Sequence, residues 1–425
     1  MRNAGAKNND GQALVLTMMV LAALFVLTAS LGVITSHTRG NIIREQSFTR
    51  ALYAAEMGME KTMAKVINDV QWFNGLSQGV ETTVPVTIDP QLAGELSFTV
   101  TATKQGQATG QIFGTPVLLK SVGRSLDSQG NPAAQKTLQS NLLVFTAEDY
   151  FKGFSILPEE PVQTEIKGNA TFDTPFIYNG DLILGGSVSV TGTNPVYTTG
   201  GLQLSGSASC GTSITNYPYI PPFPDLVAGY YMQKAGDYGM DHVYSSGASG
   251  TNFVFPNNNI GTNTITIAQN KNKTEEITVY VYNGFYYVDG NVTISGMYQG
   301  DAVIFATGNI NVSSDLTPIN NTGQVDPTAG SLTLIAPGDV VIENSTVYAN
   351  LMAGGTFQAW GNAWLYGAVC ATGANFGGGQ GGGSQGGGGG NFDMEFESDL
   401  APQDNYVPVT AKIINWQELY PVFGN

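Results

Sequence analysis

Between Gly11 and Ser36 no side chain carries a charge, and Ala13 to Ile34 is almost wholly apolar. Twenty-two helical residues span about 33 Å, enough for the ~30 Å hydrocarbon core of a bilayer. A secretory signal peptide has a shorter apolar core, ~7–15 residues, ending at a small-residue cleavage site. Here the helical pattern runs on instead. Phe48, Leu52, Ala55, Met59, Met63, Val66 and Val70 recur at steps of three and four, one stripe of an amphipathic helix. The spacing predicts a continuous helix from about Gln12 to Phe73, roughly 90 Å long. Its first third is bare and apolar, its last third one-sided.

From 76 to 147 the period changes to two. Leu96–Thr103, Pro116–Arg124 and Lys136–Phe145 alternate, and Asp127–Pro132 is a turn cluster between the last two. These predict a small antiparallel sheet backed by the helix.

Beyond Tyr150 a short unit repeats: a glycine, often an Asn or Asp, then alternating apolar residues. It reads Gly180-Asp-Leu-Ile-Leu184, Gly200-Gly-Leu-Gln-Leu204, Gly290-Asn-Val-Thr-Ile294, Gly308-Asn-Ile-Asn-Val312 and Gly338-Asp-Val-Val-Ile342, with a weaker copy at Gly354. Intervals of 16–20 residues fit three short strands and their turns, one coil of a right-handed β-solenoid (β-helix). A β-sandwich is the rival. In the solenoid reading, Val, Ile and Leu point inward while Gly, Asn and Asp take corner conformations with positive φ. Residues 206–289 are an aromatic-rich insertion carrying Tyr217, Tyr219, Phe223, Tyr230, Tyr231, Tyr238 and Tyr244, then Tyr280–Tyr287. A short helix is expected at Asp225–Lys234. Aromatic platforms bind sugars or proteins, but capping of the solenoid's open core is the plainer role. Residues 377–390 hold 11 glycines among 14 positions, a flexible loop without a phosphate-loop signature. The resulting division is 1–75 leader, membrane helix and stalk; 76–147 sheet; 148–392 solenoid; and 393–425 a tail packing on the solenoid.

Charge separates the two ends. The chain has 17 basic and 33 acidic side chains, net −16, and only 12% of its residues are charged. Residues 1–75 carry a net +2, leaving −18 for the rest, where Arg124 is the lone arginine. That balance excludes a nucleic-acid binder, which presents a basic surface. With 42% apolar residues the chain can build a core, which argues against disorder. Arg and Lys on both sides of the apolar span leave its orientation open.

The leader ending at Gly11, the run Gln12-Ala-Leu-Val-Leu16 that opens the span, and Ala51-Leu-Tyr-Ala-Ala-Glu-Met-Gly-Met-Glu60 resemble the N-terminal domain of PilX-type minor pilins of type IV pili. The resemblance covers about residues 5–70, with Ala54, Ala55, Glu56 and Gly58 as its motif. It implies an N-in, C-out helix, cleavage between Gly11 and Gln12 by a prepilin peptidase, and assembly with other pilins through that helix. Gln12 stands where a methylated Phe or Met is usual, and Leu16 where a Glu is usual. The missing Glu points to a minor or tip role. The repeats, more loosely, resemble the β-helical domain that often follows such N termini.

Little here could do chemistry. Two histidines (His37, His242) and two cysteines (Cys210, Cys370) make no zinc-like cluster. The two cysteines form either a disulfide outside the cell or two separately buried thiols. Asp181, Asp289, Asp301 and Asp339 sit at predicted corners, where Asp is ordinarily a turn residue. The expectation is a non-enzymatic subunit without cofactor or metal, in the cytoplasmic membrane before assembly and at the cell surface afterwards. A surface glycan or protein is the expected ligand. The alternatives are an anchored β-helical polysaccharide-active enzyme and a membrane-linked β-helix polymer.

Overall fold

A computed structural model describes residues 10–245, 251–256, 260–269, 273–376, 390–400 and 407–419. Helix α1 (Asp10–Asn68) is unbroken, and through residue 46 its described side chains are exposed. It stops at Asp69, short of the expected Phe73. There the carboxylate accepts from the Trp72 amide at 3.0 Å and from Lys65 Nζ at 2.7 Å, capping a separate turn, α2 (Val70–Asn74).

Strands β1 (Glu81–Thr83), β2 (Leu96–Lys104), β3 (Thr115–Leu126) and β4 (Pro132–Phe145) form an antiparallel sheet in that order. The turn at 127–132 is closed by Asp127, whose Oδ1 accepts from the amides of Gln129 and Asn131, both at 2.8 Å. A fifth strand corrects the expectation for the tail. Thr410–Leu419 pairs antiparallel with β4 over its whole length instead of packing on the repeats. It is a strand rather than a cap because β4 is 14 residues long and offers an unpaired edge.

Residues 154–395 form a large β-rich region built of parallel ladders. Ladder 1 runs in space through 243–245, 284–289, 302–306, 332–336, 350–353, 369–371, 154–156, 176–178, 196–198 and 212–214. Ladder 2 includes 252–255, 291–294, 310–312, 340–343, 357–360 and 374–376. Ladder 3 includes 346–348, 363–366, 392–395, 169–173 and 187–190. The chain visits the ladders in turn and, at most steps, meets its own register 17–31 residues later, with 39 and 44 where a hairpin intervenes. Between 252–255 and the next rung sits one antiparallel hairpin, Gly261–Gln269 with Lys273–Val281.

The spatial order is not the chain order. The chain enters mid-stack at Phe154, advances to one end at Ile214, crosses to the other end at Val243, and returns to close on its own start. Residues 206–289 are therefore not a side excursion: 209–214, 243–245 and 252–255 are themselves rungs. Nine ladder steps at ~4.8 Å make the crossing about 43 Å, within reach of 215–242, which includes helix α4 (Ala228–Tyr238, beginning three residues after the expected start). Where the two ends of the path meet, six phenylalanines interlock inside the stack. Phe154 lies 4.8 Å from Phe172 and 5.5 Å from Phe376, and Phe376 stacks on Phe392 at 5.1 Å.

Inside the stack, Leu182, Leu184, Val292, Ile294, Ile310, Val340 and Ile342 are all buried. Ladder 1 is buried on its outer side as well. Ile177, Tyr197, Phe285, Phe305, Ile335 and Met352 face a second apolar layer made by Tyr217, Ile220 and Tyr231 of the crossing segment and by Phe113, Phe145 and Phe151. Tyr231 stacks on Phe305 at 4.1 Å. The insertion's aromatics thus cover a side as well as an end, where Tyr244, Phe255 and Tyr282 fill the last rungs. The glycine-rich run 377–389 lies outside the described residues.

Candidate functional site

The motif of the N-terminal helix has a direct structural meaning. Ala51, Ala54, Ala55 and Gly58 are fully buried against β3, and Glu56 beside them is half-buried. A Cβ added at Gly123 of β3 would overlap the Ala51 carbonyl oxygen and the Ala55 amide nitrogen. At Gly58 it would meet Ser121 Oγ at 2.7 Å and Val100 Cγ2 at 2.9 Å. Small residues on both sides let helix and strand backbones touch, and Met59, Val66 and Phe73 continue the seam. The stripe from Phe48 to Val70 seats the sheet as its spacing predicts.

Ahead of the seam, residues 14–46 project about 50 Å from the head. Leu16 is 67% and Phe25 75% exposed. As far as Ile34 that surface is continuously apolar, and an apolar surface of such length is not stable in water. Its hydroxyls are already satisfied: Thr28 donates to Leu24 O, Ser30 to Val26 O and Thr35 to Leu31 O, each at 2.7 Å. Internal satisfaction is what a hydrocarbon environment demands. This helix is long and apolar enough to cross a membrane. Gly11 and Gln12 fall in its first turn.

In the β-rich region the Asn and Asp of the repeat do something other than turn the corner. Among the described non-glycine residues only Asn216 and Asn344 have positive φ. Instead each repeat side chain accepts from the amide one rung on. Asp181 accepts from Gly201 at 2.6 Å; Asn291, Asn309 and Asp339 accept from Asn309, Asp339 and Thr356, each at 2.8 Å. The glycines stack beside them, the Gly308 amide on the Gly290 carbonyl and the Gly355 amide, not that of Gly354, on the Gly338 carbonyl. Asp301 accepts from Ser331 in the same way, at 2.9 Å, while Asp289 accepts from the hydroxyls of Thr307 and Ser245. These carboxylates hold backbone or neighbouring hydroxyls and do not face one another across a cleft.

Cys210 and Cys370 are free. Cys370 points outward from ladder 1 under the crossing segment, and Cys210 lies three rungs away against the interior. Three steps are about 14 Å, too far for a disulfide, so the paired alternative is corrected to two separate thiols. Burial pushes the Cys370 thiol up. His242 faces the Phe285 carbonyl oxygen at 2.8 Å and stacks on Tyr286. No metal-holding group of His, Cys, Asp and Glu occurs among the described residues.

The sheet and the β-rich region are joined through Asp149 of the turn α3 (Ala147–Tyr150). Its Oδ1 accepts from the Gly114 amide and from Lys152 Nζ, both at 3.0 Å, and Oδ2 from the Thr146 amide. Lys152 also donates to Ile112 O, and the Tyr150 hydroxyl bonds Thr410 of the C-terminal strand. Reasoning from the sequence missed this node; the Thr146-Ala-Glu-Asp149 capping box is the signal that could have located it.

No protein-family model matches the sequence, and no curated protein matches it. Among solved structures, the chain is similar to the competence-associated pilin ComZ from Thermus thermophilus, at 14% identity over 88% of this chain and 97% of that one, with a TM-score of 0.35.

Proposed function

We propose that the chain is a non-enzymatic, minor pilin-like subunit of a type IV pilus or related filament. The observation that carries this reading is α1 itself. One helix is bare for some 50 Å and apolar over about the first 33 Å of that, then docks through the Ala51/Ala54/Ala55/Gly58 face onto an antiparallel sheet. That arrangement fits a helix held in the cytoplasmic membrane, N-in and C-out, and later packed among the helices of other pilins. The PilX-type resemblance of residues 5–70 supports it, and with it processing by prepilin peptidase between Gly11 and Gln12. The three parallel ladders, meeting mostly at 17–31-residue intervals around one apolar interior, are read as a β-solenoid head. Such a head is too bulky for the tight axial repeat of a shaft. With Leu16 offering no carboxylate to a neighbour's amino terminus, it favours a place at or near the tip, for priming assembly and for recognition.

Mass spectrometry of sheared filaments tests this. A mature N terminus at Gln12 and a copy number far below that of the major subunit are expected. An intact Met1 on assembled protein overturns the processing step, and even decoration along the shaft overturns the tip position.

A further inference from the structure

The outer face of ladder 2 carries chemistry that filament assembly does not use. One column of side chains runs in register through Val254, Thr293, Asn311, Val341 and Gln358, and Glu343 pairs with Trp360 beside it. Asn252, Thr293, Asn311, Val341, Glu343 and Trp360 line a groove of about 310 Å³. Asn252 and Thr293 bond each other at 3.2 Å, Asn311 Oδ1 is buried without a partner among the described residues, and the Glu343 side chain is exposed. Around the corner at Gly361 the same rung puts Trp364 on ladder 3, 47% exposed, next to Tyr366 stacked on Tyr348 at 4.4 Å. Two of the four tryptophans in the chain therefore flank one corner.

We propose that this groove binds a neutral glycan chain lying across the rungs. Sugar rings present apolar C–H faces edged by hydroxyls, which an indole plane beside amide, hydroxyl and carboxylate groups complements. None of the lining residues is basic, so an acidic polysaccharide or nucleic acid finds no counter-charge. A peptide adding as a strand needs unpaired backbone groups, and those of ladder 2 are engaged with the rungs on either side. The repeat also suits a polymer of rings. Rungs recur every ~4.8 Å, close to one pyranose per rung, so the four steps from Val254 to Gln358 offer roughly 19 Å. The proposal rests on the surface-displayed head described above and names its ligand class.

The test uses the full chain in a non-glycosidic detergent, with chitohexaose, cellohexaose and laminarihexaose as probes and a hexagalacturonate as charged control. Calorimetry and tryptophan fluorescence report binding. At least one neutral hexasaccharide is expected to bind and perturb tryptophan emission. Trp360→Ala and Asn311→Ala weaken it at least tenfold, and the distant, exposed Trp416→Ala leaves it unchanged. Glu343→Gln, at an exposed side chain, keeps the test falsifiable should Trp360→Ala fail to fold; it weakens binding severalfold. No neutral binding at millimolar ligand, equal affinity for the charged control, or indifference to all three groove variants overturns the proposal. Filament incorporation is scored separately by shearing. A chain that binds glycan but never enters filaments refutes the pilin-like placement alone, and one that enters filaments without binding refutes the groove alone.

Discussion

Gly123 is the position where a single methyl group does the most damage. An added Cβ has nowhere to go, because the atoms it meets are the Ala51 carbonyl and the Ala55 backbone, locked in the hydrogen bonds of α1. Relief requires the helix to lift off β3 along the Ala51–Gly58 face. Overpacking of a well-packed core costs about 1–3 kcal/mol, and contact with rigid backbone belongs at the top of that range. Replacing a strand glycine recovers only ~0.5 kcal/mol of backbone entropy, leaving about 2–3 kcal/mol. Gly58→Ala is the matched control. Its Cβ meets the ends of Ser121, Val100 and Phe98 side chains at 2.7–3.0 Å, which can rotate or shift. Ala is also ~0.8–1 kcal/mol better than Gly inside a helix, so the net cost falls below about 1 kcal/mol. Hydrogen exchange with peptide-level mass spectrometry reads the local opening of residues 51–66 directly. At 1.4 kcal/mol per decade, Gly123→Ala should speed exchange there by roughly 30- to 150-fold and Gly58→Ala by less than about fivefold. Equal effects, or a larger effect at Gly58, would refute backbone contact as the reason for the small residues.

Three further outcomes follow from particular contacts. Val340→Asp puts an unpaired carboxylate inside the stack and should cost several kcal/mol, while Val341→Thr, half-buried on the outer face, stays within about 0.5 kcal/mol in thermal melts; similar losses would contradict the inward–outward alternation. Asp149→Ala strips partners from Gly114, Thr146 and the partly buried Lys152, and about 3 kcal/mol of junction stability should go with them, read as faster limited proteolysis between 146 and 153; unchanged cleavage would mean the node holds nothing. Burial raises the phenols of Tyr150, Tyr231, Tyr282 and Tyr298 well above 10, so their neutral forms stabilise the fold fully below the unfolded value near 10 and lose that contribution as pH rises past it. An alkaline absorbance titration should show them ionising only with unfolding, and smooth reversible titration of all 19 tyrosines near pH 10 would count against it.

The N-terminal helix and the repeats were the legible parts, and for different reasons. In α1 the period of 3.6 passes without interruption from the apolar span into the seam, so pattern alone located both. Only the break at Asp69 escaped, because a capping carboxylate is a local contact that periodicity does not report. In the repeats, spacing revealed the rungs but not their order in space, since every rung presents the same alternation and any two could be neighbours. What decided the order is shape. Six phenylalanines gathered where Phe154 meets Phe376 and Phe392, and five-residue apolar runs such as Ala302–Ala306, mark a ladder buried on both sides. Those runs were visible in the sequence as violations of alternation. The glycan-binding candidates were invisible for the opposite reason, as Thr293, Asn311 and Val341 become neighbours only through ladder register.

The path of the chain also says how a load on the head would reach the N-terminal helix. The head connects to the sheet twice, at residues 146–153 and again through the C-terminal strand on β4, and the two connections are tied together where Tyr150 bonds Thr410. Because that strand lies antiparallel along β4, pulling on the head shears many ladder hydrogen bonds at once instead of unzipping them singly. Lys136 of β4 and Glu418 pair at the far end of the same register, so the strand is held at both ends. From β4 the load passes to β3 and into α1 through the small-residue seam. Deleting the C-terminal strand should therefore leave an expressed and membrane-inserted chain whose head detaches under shear, released by protease between 146 and 153, while the undeleted chain resists the same treatment. A truncated chain that withstood shear as well as the full one would show that the first connection alone carries the head.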